Sequence, residues 1–189
     1  MKSPYSFIVK PVKDKRYNNT IDINNIEFIT SVSQEDHTSS NRFGEVISVP
    51  LNYKGDIQKG DLLLVHHNVF KYYYDMYGRQ KSGKSYFKDD MFFIEQDQFF
   101  LYKRKDKWYT HDKYCFIKPI LVEDSYIKKS SKYEPLKGKI VYSNKQLDNL
   151  GVKVNDTVIF SPDSEYEFNV DGQLLYRMFT NNITMIINE

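Results

Sequence analysis

The sequence predicts an all-β protein built from two tandem copies of one small unit. Three observations carry that reading. The chain of 189 residues holds 16 Tyr and 13 Phe but no Ala. Ala is the best helix former, whereas aromatic and β-branched residues favour strands. Apolar runs of strand length recur throughout, with turn residues between them. Four of these runs have counterparts, in the same order, in the second half of the chain.

The elements follow in order. "SFIVKPV" (6–12) and "GEVISVP" (44–50) each run apolar up to a proline. "DLLLVHH" (61–67) follows the turn "QKGD", and "MFFIE" (91–95) and "QFFLYK" (98–103) flank a polar pair. Then come "YCFIKPILV" (114–122), "GKIVYS" (138–143), "DTVIFSP" (156–162), "EYEFNV" (165–170), "QLLYRMF" (173–179) and "ITMII" (183–187). Many short strands at this spacing suit a barrel or a sandwich. Asp171-Gly172 is the pair that a two-residue hairpin turn prefers.

Two stretches break the rhythm. Residues 13–43 are polar and rich in Asn, Ser and Thr around one apolar patch, "IEFI". A loop of this length in a small domain usually carries function. Residues 71–90, "KYYYDMYGRQKSGKSYFKDD", are Tyr-rich and then rich in Gly, Lys and Ser. They read as an inserted hairpin.

The repeat places Lys10-Pro11 over Lys118-Pro119, Gly44 over Gly138, Asp61 over Asp156 and Asp97 over Asn182. The offsets are 108, 94, 95 and 85. Their differences put about 14 extra residues in the early loop of the first copy and about ten around 71–90. The expected division is therefore a first copy at 1–105, with loop 13–43 and inserted hairpin 71–90, and a second at 106–189.

Composition narrows the function. A net charge of +2 creates no overall field that demands nucleic acid or an anionic membrane. A lone cysteine, Cys115, excludes an internal disulfide and a cysteine-based zinc site within one chain. "MKSPYSFIVKPVKDKR" has no apolar core of signal-peptide length, and the longest aliphatic run, "LLLV", is too short to span a bilayer. A cytoplasmic protein is expected. The richness in Lys, Asn, Ile and Tyr fits an AT-rich genome.

The second copy, "LKGKIVYSN…LGVKVNDTVIFSPDSEYEFNVDGQLLYRMFTNNITMII", resembles the body of GroES-type co-chaperonins. The glycine-led strand falls at Gly138 and the Lys-x-Gly-Asp-x-Val-hydrophobic-Phe strand at Lys153–Phe160. The Tyr-led strand falls at Tyr176–Phe179 and the closing strand at Asn182–Ile187. Asn155 replaces the family's glycine and Asn182 its aspartate; both suit turns. The first copy matches more loosely, through "FIVKP", "RFGEVISVP" and "QKGDLLLVHH". The double arrangement resembles homologues carried by bacteriophages.

The resemblance implies two tandem GroES-like irregular β-barrels and a non-enzymatic role without a cofactor. The chain would cap the cage of a GroEL-like chaperonin, in a nucleotide-dependent manner, while a client protein folds inside. A homo-oligomeric ring matching the chaperonin rim is implied, in the cytoplasm of an infected bacterium. The family docks through a mobile loop after its first strand. Here that loop is 13–43, and its apolar residues Ile26, Phe28 and Ile29 are the candidate chaperonin-binding set, with Val32 as an extension. "TIDINNIEFITSV" also alternates as an ordinary strand pair would. The matching loop of the second copy, 125–134, is short and polar, so one docking loop per chain is expected.

Other constellations carry less. Gly78–Ser85, "GRQKSGKS", satisfies the P-loop spacing and would make the chain a nucleotide-binding enzyme. No helical period follows it, and a basic hairpin tip is the simpler reading. His66 and His67 would point to opposite faces of a strand and so could not share a metal; His37 and His111 lack ligand spacing. Cys115 reads as a small buried hydrophobe. Tyr102–Tyr114 interleaves Lys and Arg with Trp108 and Tyr109, a pattern that also suits single-stranded nucleic acid, but it falls where a charged turn is expected. A virion or scaffold protein that reuses the same module is the remaining alternative.

Overall fold

The computed structural model describes residues 1–24, 26–30, 39–111, 113–122 and 132–187. The fold is predominantly β, with 52% of the described residues in strands and 8% in helices. The chain divides into two compact units, Met1–Lys107 and Trp108–Glu189. Among the described residues no helix is long and apolar enough to cross a membrane.

The first unit contains β1 (Phe7–Pro11), β2 (Thr20–Ile23), β3 (Ile26–Ile29), β4 (Phe43–Ser48), β5 (Leu62–Val65), β6 (Tyr72–Tyr74), β7 (Gln80–Ser82), β8 (Tyr86–Lys88), β9 (Met91–Ile94) and β10 (Phe99–Arg104). After β11 (Lys107–Thr110), the second unit continues with β12 (Tyr114–Leu121), β13 (Tyr133–Tyr142), α1 (Lys145–Asn149), β14 (Thr157–Phe160), β15 (Tyr166–Val170), β16 (Gln173–Phe179) and β17 (Ile183–Ile187).

Leaving aside β11, the edge strand that straddles the boundary between the units, the strands of the first sheet run β10-β5-β4-β1-β9-β8, and those of the second β17-β14-β13-β12-β16-β15. Every neighbouring pair is antiparallel. Over these six strands the two orders are the same. The expected barrels are corrected here: both sheets are open. Closure requires the end strands to meet along a matched, staggered ladder. Among the described residues β8 does not pair with β10, nor β15 with β17, and β8 is only three residues long.

Register repeats as well as order. Val9, Lys10 and Pro11 face Val46, Glu45 and Gly44; Ile117, Lys118 and Pro119 face Ile140, Lys139 and Gly138. Both ladders shift register one step earlier, before Val9 and before Ile117. On the other side, Phe7 faces Ile94 and Cys115 faces Met178. The turn before the third strand is the same construction twice. The Asp61 carboxylate accepts the Gln58 N–H at 2.8 Å, and the Asp156 carboxylate accepts the Lys153 N–H at 2.7 Å. The residue before each aspartate has positive φ, 90° at Gly60 and 75° at Asn155. Glycine, and residues with a short polar side chain such as asparagine, adopt that conformation most readily.

One expected equivalence shifts by a residue. Asn182 accepts the Phe179 N–H through its side chain at 3.0 Å, and its carbonyl accepts the Ser161 N–H at 2.9 Å. In the first unit these bonds, at 3.0 and 2.9 Å, belong to Gln98, which accepts from Glu95 and His66. Gln98, and not Asp97, occupies the place of Asn182. The amide side chain closes a short helical turn that the next strand leaves.

The cores correspond in the same way. Phe7, Val9, Val46, Ile57, Leu63, Val65 and Ile94 pack in the first unit. Cys115, Ile117, Ile140, Val152, Val158, Phe160 and Met178 take those places in the second. Each core depends on a close strand approach at its glycine. A Cβ on Gly44 would stand 3.1 Å from Phe70 Cζ and 3.3 Å from Val9 Cγ2. At Gly138 it would overlap Ile117 Cγ2 and lie 2.8 Å from the Lys118 carbonyl oxygen. Backbone yields less than a ring tip does, so Gly138→Ala is the costlier change. We expect Gly138→Ala to destabilise the protein by about 1–3 kcal/mol. Gly44→Ala should cost less, as read from the two urea midpoints.

Candidate binding site

Two hairpins leave the first sheet. One leaves between β1 and β4, the other between β5 and β8. In the second unit, the stretch between β14 and β15 is only Ser161–Glu165, a turn in which the Ser164 hydroxyl donates to the Ser161 carbonyl at 2.6 Å. The second unit's counterpart of the early loop lies largely outside the described residues.

The first hairpin pairs β2 with β3, Ile21 opposite Phe28 and Ile23 opposite Ile26. The expected mobile loop is thus, at Thr20–Ile23 and Ile26–Ile29, a two-stranded sheet; Val32 and His37 lie outside the described residues. Alternation in a strand puts residues two apart on one face. Ile21, Ile23, Ile26 and Phe28 therefore form one apolar face, and all four are exposed. Even Phe28, the least exposed of the four, retains 48% of its surface. Ile29 belongs to the opposite face with Thr20, Asp22 and Glu27. The structure keeps Ile26 and Phe28 together, separates Ile29 from them, and adds Ile21 and Ile23, whose signal was the alternation in "TIDI".

The polar face is tied to the stem of the hairpin. Lys15 forms an ion pair with Glu27 and donates to Thr20 Oγ1 at 3.2 Å. The hydrogen bond from Lys15, and then that from Thr20, hold the Glu27 carboxyl below its ordinary pKa. Below this, Asn18 N–H donates to the Ser39 carbonyl at 2.7 Å and Asn41 N–H to the Arg16 carbonyl at 2.9 Å. The Asn41 side chain donates to the carbonyls of Val12 and Lys15, at 3.0 and 2.7 Å.

The second hairpin pairs β6 with β7, Tyr72 opposite Ser82 and Tyr74 opposite Gln80. It ends there: β8, expected within the insertion 71–90, pairs with β9 in the main sheet. Asp75 closes the tip, its carboxylate accepting the N–H groups of Tyr77 and Arg79 at 2.9 and 3.0 Å and Arg79 Nε at 2.9 Å. The Arg79 backbone bond is the largest cause lowering the Asp75 pKa. Gly78–Ser85 thus forms the end of a turn, a strand and a second turn leading into β8. A P-loop instead opens a helix whose N-terminus meets the phosphates, and this segment opens none.

Arg16 joins the two hairpins. Its guanidinium is buried at 8% exposure. Nε and Nη2 donate to Asp90 Oδ1 at 3.0 and 2.5 Å, and Nη1 donates to Ser82 Oγ at 2.8 Å. The plane lies against the rings of Tyr72, Phe92 and Tyr86 at 4.2, 4.7 and 4.9 Å. Beside it, Tyr17 stacks on Tyr72 and its hydroxyl accepts the Tyr72 N–H at 2.9 Å. Burial pushes the Tyr17 phenol up. Nothing in the local sequence marks Arg16, because its partners lie 66 and 74 residues away.

The remaining candidates are resolved individually. His66 and His67 follow the end of β5, so strand alternation does not separate them, and their ring centroids are 4.2 Å apart. His66 Nδ1 accepts the Asn68 N–H at 3.2 Å. Among the described residues no group of three His, Cys, Asp or Glu side chains is placed to hold a metal. Trp108 is buried, and its indole N–H donates to Asp171 at 2.8 Å, so it offers no free ring face to a base. Cys115 is fully buried, and burial pushes its thiol up to about 12.

No protein-family model matches this chain, and no curated protein sequence matches it.

Two outcomes are expected. Cys115 should resist a thiol reagent in native buffer and react once urea unfolds the second unit, because the thiolate is the reactive form. Rapid labelling of the native protein would contradict its burial. Glu27 should titrate below an ordinary glutamate when its carboxyl shift is followed by NMR. A depressed folded pKa means the Lys15 contact is complete above the unfolded-state pKa and is lost as pH falls through the folded value. In Lys15→Ala the midpoint should return toward the ordinary value.

Proposed function

We propose that this chain is a co-chaperonin, phage-encoded, that caps a GroEL-like chaperonin in the bacterial cytoplasm. The single observation that carries the reading is the apolar face Ile21, Ile23, Ile26 and Phe28. It is exposed on a hairpin that leaves the sheet directly after its first strand. That is the position from which the resembled family docks. The corresponding segment of the second unit is shorter and mostly polar in sequence, which fits one docking element per chain.

Docking this face would bury large apolar side chains, each contributing about 1.5–3 kcal/mol. One such contact is weak. A homo-oligomeric ring presents several at once, and linked sites bind far more firmly than one alone. Nucleotide would act on the chaperonin, exposing the groove that receives the hairpin, and the client protein would fold in the cage beneath. In this reading the chain needs no catalytic residue and no cofactor of its own.

The test is a pull-down with bacterial chaperonin in the presence of ATP or ADP. Wild-type protein should be retained only with nucleotide, and Phe28→Glu should lose retention. Ile29→Glu, on the opposite face, should keep most of it. Retention unaffected by Phe28→Glu would remove this face from docking. No retention of wild type under any nucleotide would overturn the reading, and stoichiometric recovery from purified virions would then favour a structural role.

A further inference from the structure

The two hairpins enter the first unit about 50 residues apart in sequence and leave from different strands. Yet their bases share side chains. Arg16 sits in the stem of the β2–β3 hairpin and bonds Ser82 on β7 and Asp90 in the β8–β9 turn, with Tyr72 of β6 against its face. Tyr17, the next residue, accepts the Tyr72 N–H and stacks on its ring. The stem itself is closed by Asn18 to Ser39, Asn41 to Arg16 and Thr30 to Asn19. The foot of the β6–β7 hairpin is closed by Gly83 to Lys71 at 3.2 Å.

We propose that Arg16 latches the two hairpins into one cooperative element, so that they open and order together. The physical reason is the cost of half-opening. If the β6–β7 hairpin opened alone, the guanidinium would lose Ser82 and Tyr72 while still facing Asp90, and the Tyr17 hydroxyl would lose its donor. If the stem opened alone, the guanidinium would leave Asp90, Ser82 and the three ring faces at once, and Tyr17 would leave Tyr72. A buried charge stripped of its partners is costly. The low-energy opening therefore releases both, and order imposed on the exposed apolar face is conveyed to the β6–β7 tip some strands away. This holds whichever partner covers that face.

Native-state hydrogen exchange on the whole chain tests it. The reporters are the Asn18, Asn41 and Thr30 amides for the first hairpin and the Tyr72 and Gly83 amides for the second. Val46 and Gly60, bonded across the β4–β5 turn, are controls. Arg16→Met should speed both reporter sets about tenfold or more, since hydrogen bonds to charged groups are lost, and leave the controls unchanged. Asp90→Asn approaches from the other side and tolerates the positive φ of 53° at that position. It should speed the same two sets, by a smaller factor, including Asn18 and Asn41, which Asp90 does not touch. Acceleration confined to one set, or absent in both variants, overturns the latch. If Arg16→Met does not fold, Asp90→Asn decides alone.

Discussion

Each sheet depends on a strand that packs on both sides against close neighbours and carries a proline near its end. In the first unit this is β1, between β4 and β9; in the second it is β12, between β13 and β16. Pro11 and Pro119 offer no N–H to extend a ladder. Opposite each stands a glycine, Gly44 or Gly138, whose missing side chain lets the returning strand come close. The approach seats Val9 beside Val46 and Ile117 beside Ile140 in the core. Where the proline releases the chain from the sheet, the first unit has room for a hairpin that costs the sheet nothing.

The same logic explains why the two units keep one scaffold while differing in what they display. Conserved order and register reside in short turns whose bonds are internal to them, such as Asp61 to Gln58 and Asp156 to Lys153. The hairpins are attached outside those turns. Their own polar contacts, Lys15 with Glu27 and Asp75 with Arg79, are local and exposed. Arg16 is the exception, a cation taken out of water and compensated by a carboxylate, a hydroxyl and three ring faces.

Much of the fold was legible in the sequence because its signals are local. Asp171-Gly172 predicts the β15–β16 turn, and both residues have positive φ, 48° and 80°. The matched glycines and aspartates predict the repeat in strand order. Sheet closure was not legible, since it depends on how end strands meet across a whole unit. The shift from Asp97 to Gln98 escaped because carboxylate and amide both suit such a turn, and only hydrogen bonding distinguishes them. In the candidate site, alternation in "TIDINNIEFI" sorts the faces once the turn at Asn24 is known, and it excludes Ile29 from the set with Phe28. Arg16 looks in sequence like any solvated cation in a polar loop, because burial is decided by Ser82 and Asp90 far along the chain.

The central place of β1 has a consequence for a chain emerging from the ribosome. β1 is made before both of its neighbours, and the first of them, β4, follows about 35 residues later. Its other neighbour, β9, is Met91–Ile94, so Phe7 must wait for Ile94 before that edge is covered. Until then an apolar strand edge stands open, the condition in which strands pair with the wrong chain. Both hairpins are synthesised during that interval. The second unit, with shorter connections, closes Cys115 onto Met178 over a briefer delay.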